Sequence, residues 1–215
     1  MKTVIFDWDG TLIDSKAKLL DAWRAATQQV IGRAYPSTPE EERFVAARNG
    51  HNVLSSLTPS PDVQQQLTTA YHALYTASTN DVAPFPGIPE LLVALRSSAH
   101  RIAVVTAKAR ARFEADVAHA GLADYIDVCI CAEDVDRPKP DPAGVLHALD
   151  RLGATAAAAT MVGDSPQDIA AGLAAGTRTV GVTWGFFGAA DLAAAGAHAL
   201  ASNTDEFWAL LTSSR

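Results

Sequence analysis

The chain has 215 residues, 48% of them apolar and 19% charged, an ordinary globular composition that excludes intrinsic disorder. This length suits one domain, or one domain with a smaller insert, and buries a sizeable core without disulfides or structural metal. Its 24 acidic residues outweigh 17 basic ones, giving a formal net charge of −7, which argues against non-specific nucleic-acid binding but leaves room for a small phosphorylated ligand.

The first element is a short apolar run, Thr3 to Phe6, that stops at Asp7-Trp8-Asp9-Gly10. It reads as a buried strand ending in a turn. It is too short for the apolar region of a signal peptide, and no stretch approaches the ~18 apolar residues of a membrane span. Leu19, Trp23, Ala26 and Val30 then fall on one face of a helix, which Pro36 and Pro39 end. A second helix is expected from Thr38 or Pro39. A later one is expected over about residues 61–78, with Val63, Leu67, Ala70 and Leu74 at helical spacing. Asp81 to Gly87 reads as a linker.

Beyond the linker, strand and helix alternate. Strands are expected at Ile102–Val105, Tyr125–Ile130, Thr160–Val162 and Thr179–Val182. Helices are expected at Lys108–His119, from Asp141-Pro142, and from Ser165-Pro166. Apolar strands alternating with helices predict an α/β fold, a Rossmann-like doubly wound parallel sheet covered on both faces. The core would comprise 1–14 and 84–215, and an all-helical cap 15–83. Cys129 and Cys131 fall in a run, Ile126 to Ala132, that reads as a buried strand. They are too close to bridge comfortably and lack the partners of a zinc site, so packing is their expected role. With no disulfide framework and no targeting segment, a soluble cytoplasmic protein, monomer or homodimer, is expected.

In an open parallel sheet, ligands bind beyond the carboxyl ends of the strands, where strand order reverses. Asp7 and Asp9 follow the first strand, Thr106 the second and Asp164 the fourth, while Lys139 lies in the loop after the third. Three carboxylates about 4 Å apart repel by several kcal/mol per pair at an effective dielectric near 20. A hard divalent cation offsets that repulsion, and Mg²⁺ takes one or two carboxylates plus water and phosphate oxygens. No His or Cys is placed for zinc. An aspartate beside Mg²⁺ suits nucleophilic attack on phosphorus, and Gly10 lets Asp9 turn toward the leaving oxygen as general acid and then base. Each residue also has a plainer reading. Asp-x-Asp-Gly is a common turn, Thr106 can cap a helix, Asp168 can complete a capping box with Ser165, and Lys139 can be a solvated loop lysine. Their common placement at strand ends favours a site.

Phe6-Asp7-Trp8-Asp9-Gly10-Thr11-Leu12, Val105-Thr106, Lys139-Pro140 and Gly163-Asp164-Ser165-Pro166-Gln167-Asp168 resemble the four motifs of the haloacid dehalogenase superfamily. The likeness runs through Pro86-Gly87 and Trp184-Gly185 and is nearest to the phosphoglycolate phosphatase-like branch with a helical cap. It implies a Mg²⁺-dependent phosphatase acting through an aspartyl-phosphate. Asp7 would be the nucleophile and Asp9 the acid/base, with its backbone carbonyl on the metal. Thr106, Ala107 and Lys139 would hold the phosphoryl oxygens. Asp164 would complete the metal site of Asp7 and Asp9, with Asp168 a direct or indirect helper. An acid at position 9 argues against dehalogenase and phosphonatase members. Ala107 replaces the Asn of many relatives. Leu19-Leu20-Asp21-Ala22-Trp23 lacks the His of the mutase relatives. Arg48-Asn49-Gly50-His51, expected in a helix-to-helix turn, resembles the cap loop that selects substrate, where Arg48 would pair a substrate anion. A phosphotransferase or mutase, or a non-catalytic phosphate-binding module, is the alternative to a phosphatase.

Overall fold

The computed structural model describes residues 2–47, 50–78 and 82–213. The chain divides into two compact units, Met1–Asp14 with Val82–Arg215, and Ser15–Asp81.

The first unit is the α/β unit. It begins with β1 (Thr3–Phe6) and the short β2 (Ile13–Asp14). The second unit follows, with α1 (Lys16–Ile31), α2 (Pro39–Ala47), α3 (Gly50–Leu57) and α4 (Pro61–Ala77). The chain then returns to the α/β unit through β3 (Ala83–Pro84), α5 (Ile88–Ser97), β4 (Arg101–Val105), α6 (Arg110–His119) and β5 (Val128–Ile130). It closes with α7 (Ala143–Leu152), β6 (Ala159–Gly163), α8 (Pro166–Ala174), β7 (Arg178–Val182), α9 (Ala189–Ala194), β8 (Ala199–Ala201) and α10 (Thr204–Thr212).

The main sheet has the order β5-β4-β1-β6-β7-β8, with every neighbouring pair parallel. This is the α/β, Rossmann-like arrangement. β1 lies between β4 and β6, so the chain leaves it in both directions, and the crevice at its carboxyl end is where such sheets bind ligands. β1, β4 and β6 read as apolar runs because both faces of the sheet are covered. One face packs Val4, Phe6, Val104 and Val162 against Leu92, Leu95 and Phe207. The other packs Ile5, Ala103, Val105 and Met161 against Val145, Ala148 and Leu149. Outside this sheet, β2 and β3 pair antiparallel, Ile13 opposite Pro84.

In the helical unit, Leu20, Trp23, Ala26 and Thr27 form the buried stripe of α1, with Leu19 and Val30 at its margins. The stripe is rotated slightly from the expected Leu19-Trp23-Ala26-Val30 line. On α4 the buried set is Leu67, Ala70, Tyr71 and Tyr75, and Tyr71 stacks on Trp23 at 4.7 Å between ring centroids.

Several boundaries differ from the sequence expectation for identifiable reasons. Tyr125 belongs to a 3₁₀ turn, Ala123–Tyr125, so β5 shrinks to Val128–Ile130. β5 is an edge strand, and Val128 and Cys129 are only half-buried. Cys129 and Cys131 are free thiols with their Sγ atoms 3.3 Å apart. α6 starts at Arg110 because Lys108 is bent into a loop, its N–H donating to Thr106 Oγ1 at 3.1 Å. α7 starts one residue late, at Ala143, whose N–H donates to Asp141 Oδ1 at 3.0 Å. Gly50 and His51 lie at the start of α3, not in a turn. Among the described residues, no helix is long and apolar enough to cross a membrane.

Candidate active site

Parallel pairing carries three chain segments to one end of the sheet. β1 pairs with both β4 and β6, and Asp7 N–H extends that ladder by donating to Val162 O at 2.9 Å. Thr106 N–H does the same on the other side, donating to Ile130 O at 2.9 Å. Asp7, Thr106 and Asp164 therefore emerge side by side. All three are buried, at 8%, 5% and 2% exposure.

Lys139 joins them from the loop before α7. Its ammonium, with only 11% of the side chain exposed, lies 2.6 Å from Asp7 Oδ1 and 2.6 Å from Asp168 Oδ1, and donates to Val105 O at 3.0 Å. Burial works to lower the Lys139 pKa, but the Asp168 and Asp7 carboxylates outweigh it and raise it. The residue is a fixed cation here, not a solvated loop lysine.

Asp168 engages both of its oxygens. Oδ1 faces Lys139, while Oδ2 accepts from Ser165 N at 3.1 Å and Ser165 Oγ at 2.5 Å. The capping box at the start of α8 and the partner of Lys139 are thus the same side chain.

Asp164 is buried as well. Its Oδ1 accepts from Thr11 Oγ1 at 3.2 Å and its Oδ2 from Phe186 N at 2.7 Å. Two glycines make room for it. A Cβ at Gly10, whose φ is +82°, or at Gly185 would collide with the Asp164 carboxylate. The Phe186 N–H was not singled out in sequence; Thr11 stood only as part of the motif over residues 6–12, and Gly185 only as part of the Trp184-Gly185 likeness.

One carboxylate oxygen from each of Asp7, Asp164 and Asp168 lies within 4.8 Å of the other two. Burial raises the Asp7 pKa to about 7; Lys139 opposes this, while Asp168 and Asp9 add to it. Burial, then the charges of Asp7 and Asp168, holds the Asp164 pKa well above the ordinary aspartate value. Three buried carboxylates with one ammonium leave uncompensated negative charge, and the donors are all hard oxygens. That chemistry fits a divalent cation of the oxygen-preferring kind.

Asp9 stands apart from this cluster. Its carboxylate, 20% exposed, has Oδ1 2.9 Å from the Lys108 ammonium. Lys108 in turn pairs with Asp116 of α6. Neither Lys108 nor Asp116 was assigned a role from sequence. Thr106, Ala107, Pro138 and Lys139 line one small cleft, with Ala107 exposed at its edge. Arg48 and Asn49 lie outside the described residues, and Gly50 belongs to the helical unit.

Residues 4–182 match the haloacid dehalogenase-like hydrolase family. The chain is 34% identical over 219 residues to a plasmid-encoded phosphoglycolate phosphatase of Cupriavidus necator, covering 99% of this chain and 94% of that one. It is 29% identical to the pyrophosphatase PpaX of Bacillus velezensis, over 89% of this chain and 87% of that one. A hydrolase from Pseudomonas syringae, 23% identical, shares the fold with a TM-score of 0.88 over 100% of this chain and 99% of that chain. The chain belongs to the haloacid dehalogenase-like hydrolase family, in its phosphoglycolate phosphatase-like branch, and is a phosphatase enzyme.

Proposed function

We propose that this chain is a Mg²⁺-dependent phosphatase that hydrolyses a small phosphorylated metabolite, phosphoglycolate-like or a sugar phosphate, through an aspartyl-phosphate on Asp7. The observation that carries this reading is Lys139 held between Asp7 and Asp168 beside the buried Asp164. A fixed cation at the nucleophile draws the phosphoryl oxygens in and reduces their repulsion with the attacking carboxylate. The similarity to a phosphoglycolate phosphatase supports the substrate class.

In the first half-reaction, an Asp7 oxygen bonds to phosphorus as the bond to the leaving oxygen breaks. Asp9 gives that oxygen its proton. In the second, Asp9 takes a proton from a water whose oxygen attacks phosphorus; phosphate leaves and the Asp7 carboxylate returns. Thr106 and the backbone at Ala107 hold phosphoryl oxygens with Lys139. Mg²⁺, held by Asp7, Asp164 and the Asp9 backbone carbonyl, would neutralise phosphate charge as a Lewis acid. Asp168, bonded to both Lys139 and Ser165, holds Lys139 in place. Hydrolysis of phosphate monoesters demands about 20 kcal/mol of barrier lowering, which calls for several charges acting together. Cytoplasmic action on a free metabolite is the setting that goes with this reading.

The test measures phosphate release from a panel of metabolite phosphates and pyrophosphate, with Mg²⁺ and with EDTA, for the wild type and Asp7→Asn. Mg²⁺-dependent release that Asp7→Asn abolishes is the expected result. A folded Asp7→Asn protein with wild-type turnover overturns the nucleophile, and isomerised sugar phosphate in place of free phosphate would reassign the enzyme as a mutase.

A further inference from the structure

We propose that Lys108 is a positioning residue that holds Asp9 in place for proton transfer to the leaving group; the proposal rests on the phosphatase reading above. The side chain is 4% exposed, and its ammonium lies between Asp9, at 2.9 Å, and Asp116, itself 8% exposed. Burying an ammonium between two carboxylates is costly, and apolar packing generally serves stability as well or better. Such a group in the wall of a site points to chemistry.

The backbone around Lys108 is fixed from both sides. Its N–H donates to Thr106 Oγ1 at 3.1 Å, and its carbonyl accepts from Ala132 N at 3.1 Å. α6 supplies the second anchor. Asp116 on that helix grips Lys108, and Phe113 on the same helix packs edge-on against Trp8 at 4.9 Å between ring centroids. Trp8, fully buried, is the residue between Asp7 and Asp9. One helix therefore steadies both the backbone and the carboxylate of Asp9.

The consequence for the reaction is directional. With the Lys108 ammonium paired by charge to Asp9 Oδ1, Oδ2 is the oxygen left for proton exchange with the leaving group. When the bond from phosphorus to the leaving oxygen breaks, the Oδ2 proton passes to that oxygen, and the charge left on Asp9 develops beside Lys108. In the second half-reaction the same carboxylate receives a proton from the attacking water. Lys108 keeps its own protons throughout.

The experiment compares kcat/KM for a simple alkyl phosphate and for p-nitrophenyl phosphate at saturating Mg²⁺. Kcat/KM reports steps through departure of the leaving group, and the nitrophenolate needs little help from an acid. Lys108→Met is expected to lose about 10²-fold on the alkyl ester and less than about fivefold on the aryl ester, the size of a misplaced general acid. Lys108→Arg, which keeps the charge, is expected to recover much of the loss. Asp116→Asn, which removes only the rear anchor, is expected to show a smaller selective loss. Equal losses on both esters, or none on either, overturn the positioning role. If Lys108→Met does not fold, Asp116→Asn decides by the same comparison. A wild type inactive on both esters, and on the metabolite panel, instead refutes the phosphatase reading.

Discussion

The Lys139 ammonium lies 2.6 Å from the Asp7 carboxylate across 132 positions of sequence, and the pair is largely shielded from solvent. Asp168, also 2.6 Å away, completes a carboxylate–ammonium–carboxylate row. The lysine thus does two things: it offsets the repulsion between two acids and faces the incoming phosphate. Lys139→Met is expected to reduce activity by about 10²–10³-fold. Because it leaves two buried charges facing each other, it should also cost about 3–5 kcal/mol of stability. Adding Asp168→Asn removes one of those charges while keeping an oxygen for Ser165. Stability should then recover by about 1–2 kcal/mol, seen as positive coupling in a double-mutant cycle from urea unfolding. Additive losses would show that the row is not an energetic unit.

The carboxylates of Asp7, Asp164 and Asp168, gathered within 4.8 Å, predict a metal-dependent stability. Any cation that binds only the folded state stabilises it by about 2.7 kcal/mol at a concentration one hundred times its Kd. For a chain of this size that corresponds to a Tm increase of about 5–10 °C. Mg²⁺ should therefore raise the Tm relative to EDTA, and Asp164→Asn should remove most of that shift. A shift of equal size in the variant would place the cation elsewhere.

How much of this was legible beforehand varies with the physics of each part. β1, β4 and β6 were readable because a strand buried on both faces must be a continuous apolar run, and Asp7, Thr106 and Asp164 interrupt those runs or follow them. β8, Ala199–Ala201, was not, since two alanines and a leucine in an edge strand carry no strand signature. Asp168 could be read as a cap or as a site residue. It is both, because a carboxylate has two oxygens and each faces a different partner. Lys108 was invisible for a deeper reason. Its partners Asp9 and Asp116 come from different elements, and only the folded chain shows an ammonium between them.

Gly185 sets the wall behind Asp164. A Cβ there would collide with the Asp164 carboxylate and with the backbone oxygen of Gly10. The carboxylate accepts from Phe186 N at 2.7 Å, so it cannot retreat without losing that bond. Gly185→Ala is expected to displace Asp164, weaken Mg²⁺ affinity at least tenfold and cost about 1–3 kcal/mol by overpacking. Mg²⁺ titration of activity checks it. An unchanged Mg²⁺ midpoint would mean that Asp164 is not held by that wall.

Acid stability should depend on a carboxylate far from the chemistry. Asp127 Oδ1 lies 2.7 Å from Arg96 Nη1, and Oδ2 accepts from Ile102 N at 2.8 Å, tying the start of β4 to the loop before β5. Burial works to raise the Asp127 pKa, but the Ile102 N–H and the Arg96 and Arg101 guanidiniums outweigh it and hold it below the ordinary 3.8. A carboxyl group whose pKa is lower in the folded state stabilises the fold above its unfolded pKa. That contribution is lost as pH falls through the folded value. Asp127→Asn keeps the shape and removes the charge. Its urea midpoint should fall below that of the wild type at about pH 6, and the gap should close as pH drops from about 4 toward 2. A gap that stays constant over that range would show that the charge of Asp127 contributes nothing, and that only its hydrogen-bonding shape holds the strand.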